Sequence, residues 1–169
     1  MAIDSSVATL GLISDTHGRL RPEALTVLRG CNQIIHAGDI GDREILDSLS
    51  ELAPIVAIKG NIDRGWTASL PETAILEWQR TRIYVLHNLK ALDIALTEAR
   101  IQIVVSGHSH KPAISERSGV LFINPGTAGP QRFRLPITVA RLNLTSRIFE
   151  VSIINLLTGE YLCTTTMAK

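Results

Sequence analysis

Five apolar runs in this chain end in residues that can bind metals. VATLGLI leads into Ser14-Asp15-Thr16-His17-Gly18, and QIIHA into Gly38-Asp39. PIVAIK leads into Gly60-Asn61, and RIYVL into His87-Asn88. IQIVVS leads into Gly107-His108-Ser109-His110. Each fragment alone is weak, since GD and GN are common turn dipeptides. Together they deliver Asp15, His17, Asp39, Asn61, His87, His108 and His110. Carboxylate, amide oxygen and imidazole without thiolate suit Mn²⁺, Fe²⁺, Co²⁺, Ni²⁺ or Zn²⁺. So many donors exceed what one ion beside an open position needs. They fit two ions roughly 3.5–4 Å apart that share a carboxylate. Asp15 with His17, and His108 with His110, stand two apart, and such residues point the same way from an extended segment. Two divalent ions against two aspartates leave net positive charge, which favours an anionic oxygen ester such as a phosphate.

The elements that must position these groups follow from apolar periodicity. Strands are expected over residues 7–13, 33–37 and 54–59, with helices over 22–28 and 42–52 between them. This βαβαβ order predicts parallel strands with right-handed crossovers. The first two strands are nearly unbroken apolar runs, as when both sheet faces are covered. A hairpin is expected from 73–78 and 82–86, a helix over 89–100, and a strand over 101–105. Two more hairpins follow, from 113–116 with 120–123 and from 137–144 with 147–154. Residues 158–169 read as an irregular or frayed tail. The fold class is α/β. Two sheets packed face to face with helices outside would bury these runs. Ligand sites in parallel α/β sheets form at the carboxyl ends of strands, where the seven residues fall.

Composition narrows the function classes. The 169 residues suit one domain spanning 1–169 and can bury a core without staples. A net charge of +1 and few aromatics give no nucleic-acid surface. The two cysteines, Cys31 and Cys163, form no CxxC, which argues against a disulfide framework or a thiolate zinc site. Neither a signal peptide nor a spanning run is evident, so a cytoplasmic protein without membrane contact is expected. A homo-oligomer is compatible with the sequence.

SDTHG, AGDIGD, KGNID, LHN, SGHSH and INPGT together resemble the calcineurin-like metallophosphoesterase superfamily, in particular its small single-domain phosphodiesterase branch in bacteria and archaea. The resemblance covers about residues 7–155. It implies a sandwich of two mixed β-sheets flanked by α-helices. By the family pattern one metal takes Asp15, His17, Asp39 and His110. The other takes Asp39, Asn61, His87 and His108, with Asp39 bridging and Asn61 also holding the phosphate. Manganese is common in the family. The implied activity is hydrolysis of a small phosphate ester by a metal-bridging hydroxide, with Asp39, Asn61 and His108 as catalytic residues. Two positions depart from the pattern. Ile62 stands where many relatives carry a histidine that protonates the leaving group, which favours diesters or activated esters. Asn88 stands where glycine is usual, which bears on the local loop. A phosphomonoesterase of the same chemistry is one alternative. A non-catalytic metal-binding scaffold, like a retromer-coat subunit of this fold, is another.

Several residues have a plainer reading. His36 reads as a structural histidine with a satisfied hydrogen bond. Asp42 reads as the N-cap of DREILDSL. Asp63 reads either as a partner orienting the ligands or as a turn cap. Asn124-Pro125-Gly126 reads as a tight turn that, by the resemblance, shapes a loop beside the ligands. Arg19, Arg64, Arg132 and Arg134 are surface arginines that could meet a phosphate or a second ester group. Asp4 and Cys31 carry no assigned role.

Overall fold

A computed structural model describes residues 7–78 and 80–169; Asp4 lies outside them. Eleven strands form two mixed sheets. The first has the order β11-β10-β9-β1-β2-β3, the second β4-β5-β6-β8-β7. In the first, β1 (Ala8–Ile13), β2 (Gln33–His36) and β3 (Ile55–Ala57) run parallel. Helices α1 (Pro22–Leu28) and α2 (Arg43–Ser50) make the crossovers. β9 (Thr138–Leu144) joins β1 antiparallel, followed outward by β10 (Ile148–Asn155) and β11 (Tyr161–Ala168). In the second sheet, β5 (Thr81–Leu86), β6 (Ile103–Val105) and β8 (Val120–Asn124) are parallel. β4 (Thr73–Trp78) and β7 (Ala113–Arg117) close its edges antiparallel.

The side-chain alternation of strands explains the unbroken apolar runs. Leu10, Leu12 and Ile35 face the second sheet, where they meet Val85, Val105 and Ile123 in the sandwich core. Their neighbours Ile13 and Ile34 face outward under Leu28, Ile45 and Leu49 of the two helices. Each such side chain stabilises the fold by about 1.5–3 kcal/mol through burial. The second sheet repeats the logic, with Ile83, Ile103 and Leu121 inward and Tyr84, Val104 and Phe122 outward. Both faces of each central strand are therefore apolar, and the polar residues collect at the strand ends.

Two expectations fail. The helix over 89–100 is absent. A short 3₁₀ helix, Leu89–Ala91, is followed by extended chain and turns. Leu92, Ile94 and Leu96 are half-buried while the residues between them are exposed, which is a period of two rather than 3.6. The supposed tail is also wrong, since β11 pairs antiparallel along β10 as an eight-residue edge strand. Its Thr-rich sequence buries little, so no apolar pattern announces it; its partner's backbone bonds hold it. Among the described residues no helix is long and apolar enough to cross a membrane.

Candidate metal centre

The carboxyl ends of β1, β2, β5 and β6 deliver Asp15, His17, Asp39, His87 and His110 to one place. Donor atoms of Asp15, His17 and His110 lie within 4.8 Å of one another, as do those of Asp15, Asp39 and His87. Nε2 of His17 is 3.2 Å from Nε2 of His110, and the two rings stack at 5.0 Å. Asp15 Oδ1 lies 3.5 Å from His110 Nε2 and 3.9 Å from His17 Nε2. Asp39 Oδ2 lies 3.8 Å from His17 Nε2 and 3.3 Å from His87 Nε2. His108 stands at the mouth with an exposed ring, edge-on to His87 at 5.2 Å, and is outside both tight groups. Asn61 is exposed on the rim of a neighbouring groove that His87 also lines.

The backbone reaches this arrangement under strain. Among the described residues nine non-glycines have left-handed φ, and five are Asp15 (54°), His17 (46°), Asp39 (55°), His108 (68°) and His110 (59°). Such conformations persist only where surrounding contacts impose them. Those contacts are visible. Asp15 N–H donates to Gly38 O, His17 N–H to Asp39 O, and Gly18 N–H to Ile40 O. The first loop is thus laid along the second. Thr127 Oγ1 donates to Asp15 O at 2.9 Å. Gly60 and Gly107 permit the close approach. A Cβ on Gly60 would sit 2.2 Å from Asp39 Oδ1, and one on Gly107 would sit 2.7 Å from Asp15 Oδ2.

One oxygen of each carboxylate is tied to protein and the other faces the cluster. Asp15 Oδ2 accepts from Ser14 Oγ at 2.7 Å and from His108 N–H at 3.1 Å. Its Oδ1 is buried without a hydrogen-bond partner. Asp39 Oδ1 accepts from Ile62 N–H at 3.1 Å. The Nδ1–H of His87 donates to Ala37 O at 2.7 Å, which turns its Nε2 inward, where it too lacks a hydrogen-bond partner. Inward-facing lone pairs on buried oxygens and nitrogens with no donor to meet them are what a cation would satisfy. The residues present therefore fit a metal centre.

The titration of these groups reflects the same crowding. Burial lifts Asp15 from 3.8 to about 6, against the hydrogen bond from Ser14. Burial pushes Asp39 upward as well. The close approach of His87 Nε2, the Ile62 N–H bond and the histidine charges outweigh it, leaving Asp39 at about 2. Burial lowers His17, and burial with the neighbouring His17 brings His110 to about 4, so both imidazoles stay neutral and able to ligate. Burial opposes protonation of His87, but the Asp39 carboxylate 3.3 Å away outweighs it and raises its pKa.

The surrounding residues sort themselves. His36 is fully buried; its Nδ1 accepts from Gly38 N–H at 3.2 Å and its Nε2–H donates to Thr16 Oγ1 at 3.0 Å. Thr16 passes the chain on to Ile40 O. Burial holds His36 at about 3, so it is a neutral structural group, as the sequence suggests. Asp63 fills both of its readings. It accepts from Gly60 N–H within its own turn and from Ile40 and Gly41 N–H across the site, tying the Asp39 and Asn61 loops together. Asp42 occupies the N-cap of α2 but makes no capping bond. Asn88 needs no glycine conformation, since φ is −106° and its side chain accepts from Lys90 N–H. Sequence reasoning overlooked Ser14, and it gave Asn124 a turn that shapes a loop beside the ligands without naming its partners. The latter donates to Gly107 O at 2.8 Å and to Ser109 Oγ at 3.0 Å, and it accepts from Gly126 N–H at 2.9 Å. A serine directly before DTH was the available signal for the first.

Comparison with known proteins agrees with this geometry. The calcineurin-like phosphoesterase superfamily domain matches residues 9–147. The chain belongs to that superfamily. A protein named probable metallophosphoesterase from Methanocaldococcus jannaschii is 36% identical over 154 residues, covering 82% of this chain and 77% of the relative. A second protein of that organism, named phosphodiesterase, is 27% identical over 136 residues, covering 69% of this chain and 82% of its own. The crystal structure of a predicted phosphoesterase from Streptococcus pneumoniae superposes with a TM-score of 0.79 at 26% identity, covering 100% of this chain and 99% of that one. Vacuolar protein sorting 29 from Cryptosporidium parvum shares the fold, with a TM-score of 0.80 at 19% identity and coverage of 96% and 99%.

Proposed function

We propose that this protein is a two-metal phosphodiesterase acting on a small phosphate diester. The observation that carries the reading is Asp39 Oδ2. It lies 3.8 Å from His17 and 3.3 Å from His87, imidazoles of the two donor groups, which have Asp15 in common. Asp15 belongs to both groups by proximity, yet only its Oδ1 is available, and that atom sits beside His17 and His110. These distances favour Asp39 as the ligand that would serve both ions. Asp15, His17 and His110 complete one site with it, and Asn61, His87 and His108 the other. Ions bound there would lower the pKa of a shared water and neutralise charge on the ester. Mn²⁺ is the expected ion, and Ni²⁺, Co²⁺, Fe²⁺ or Zn²⁺ meet the same donors.

The chain's own contribution is to hold these groups without slack. Ser14 and the His108 N–H fix the Asp15 carboxylate, Ala37 O fixes the His87 tautomer, and Asn61 orients the ester from the rim. No proton donor stands at Ile62, whose side chain is 46% exposed. An ester with a poor leaving group therefore loses a general acid worth about 10²–10⁴-fold. This supports diesters and activated esters over ordinary monoesters, and the relative named phosphodiesterase agrees. A purely docking role gives no use to buried unpaired donor atoms. The test is chelation, then assay of bis-p-nitrophenyl phosphate and p-nitrophenyl phosphate with each metal restored. Metal-dependent turnover of the diester over the monoester is expected. Metal uptake without turnover of either would move the protein to the scaffold class.

A further inference from the structure

Next to the metal centre, and sharing His108 with it, lies a cavity of about 710 Å³ whose farther walls the proposed site does not use. It runs over the outer face of the second sheet, where Ser115 and Arg117 of β7 stand beside Phe122 of β8. Lys90, Lys111 and Arg117 line it, and among the described residues no carboxylate does. None of the three has a carboxylate within 4.0 Å among the described residues.

The backbone that carries each lysine, and the Arg117 side chain itself, are held by specific local features. Lys90 lies in the 3₁₀ helix that Asn88 caps, its N–H donating to Asn88 Oδ1 at 3.0 Å. The departure at Asn88 thus sets one wall of the cavity. Lys111 follows the GHSH loop, its N–H donating to Ser109 Oγ at 3.3 Å. The Arg117 guanidinium lies 5.1 Å over the Phe122 ring, which keeps it extended along the wall. All three residues are exposed, and cations of one sign around a concave surface attract an anion. The volume is that of a small-molecule site.

A phosphodiester has two arms, and the charge on its central phosphate is met at the metal centre. Cations farther along have only a second charge to meet. Resting on the phosphodiesterase reading, we infer that the substrate arm lodged beyond His108 carries a second phosphate, a monoester held by Lys90, Lys111 and Arg117. Planar guanidinium and ammonium groups together suit a terminal phosphate.

The test compares two esters with one leaving group on the metal-loaded full chain. They are thymidine 5′-(p-nitrophenyl phosphate) and the same compound bearing a 3′-phosphate. The 3′-phosphate is expected to raise kcat/KM by about 10-fold or more at low salt, the effect of one or two charge-assisted bonds. In K90Q/R117Q the ratio of the two substrates falls toward one. That ratio is internal to each protein, so a partly folded variant cannot mimic it. Equal rates on both esters, or an advantage that survives the substitutions, would overturn the inference. Calorimetry with thymidine 3′,5′-bisphosphate on chelator-treated protein gives a second readout without turnover. The double variant should bind about 10-fold more weakly, and unchanged binding overturns the anion site. Failure to hydrolyse either ester, with bisphosphate binding lost in the variant, would refute the diesterase reading while supporting the anion site.

Discussion

Replacing Asp15 with asparagine should stabilise the metal-free protein while destroying its metal site. Asp15 is fully buried, its Oδ1 has no hydrogen-bond partner, and its backbone is left-handed. Burial lifts its carboxyl from 3.8 to about 6. Holding it ionised at neutral pH therefore costs the folded chain about 3 kcal/mol. Asparagine removes that charge, keeps an oxygen for Ser14 Oγ and His108 N–H, and tolerates left-handed φ better than most residues. Chelator-treated D15N should gain about 3 kcal/mol, or about 6–12 °C in Tm for a chain of this length. The sign also fixes a pH window. A carboxyl raised on folding favours the native state below 3.8 and loses that advantage as pH rises through about 6. The gap between variant and wild type should therefore be widest near pH 7 and close as pH falls toward 4. Calorimetric melting with chelator, from pH 4 to 7.5, measures it. A variant melting below wild type at pH 7 would refute the reasoning, because Asp15 would then stabilise the fold without a cation.

Restored metal should stabilise the wild type by about 2.7 kcal/mol at 100 times Kd, read as a higher Tm, whereas D39A should show no such shift and no turnover; turnover in D39A near wild type would break the bridging assignment. H36Q should flatten the acid limb of stability. Burial holds His36 at about 3, so its contribution is complete above 6.5 and is lost as pH falls toward 3; urea midpoints at pH 4 and 7 measure the difference. N124A leaves Gly107 O and Gly126 N–H without their partner and should cost about 2–4 kcal/mol, with kcat/KM falling as the GHSH loop loosens; unchanged urea midpoints would show the loop is held otherwise. G60A places a methyl against Asp39 Oδ1 and should cut kcat sharply while costing only about 1–3 kcal/mol in stability, a split that paired kinetics and melting would reveal.

Strands with both faces buried were legible because each central strand of the two sheets meets apolar neighbours on either side. β1, β2, β5, β6 and β8 all read as apolar runs for that reason. Two segments that bury little were not. The segment after His87 mixes a 3₁₀ turn with extended chain, and its composition suits a helix although Leu92, Ile94 and Leu96 pack with a period of two. β11 has almost no buried side chains, so only its partner strand reveals it. Of the seven proposed ligands, Asp15, His17, Asp39, His87 and His110 converge. They were readable because loops at strand ends inherit the direction of the strands. His108 and Asn61 sit at the mouth. The cavity cations were not readable, since Lys90, Lys111 and Arg117 come from three segments that only the sheet register brings together.

With ions at the proposed site, the left-handed backbone at Asp15, His17, Asp39, His108 and His110 would tie the protein's lifetime to them. Each such residue costs about 1 kcal/mol, a combined burden that is a large share of the roughly 5–15 kcal/mol separating native from unfolded chains. Ions bound at the proposed site would offset that burden, and chelation would restore it. Differences of this size change steady-state abundance in cells, where unfolded chains are degraded. A cell short of divalent metal would thus hold less of this protein as well as a less active one. Its amount would follow metal supply without any regulator.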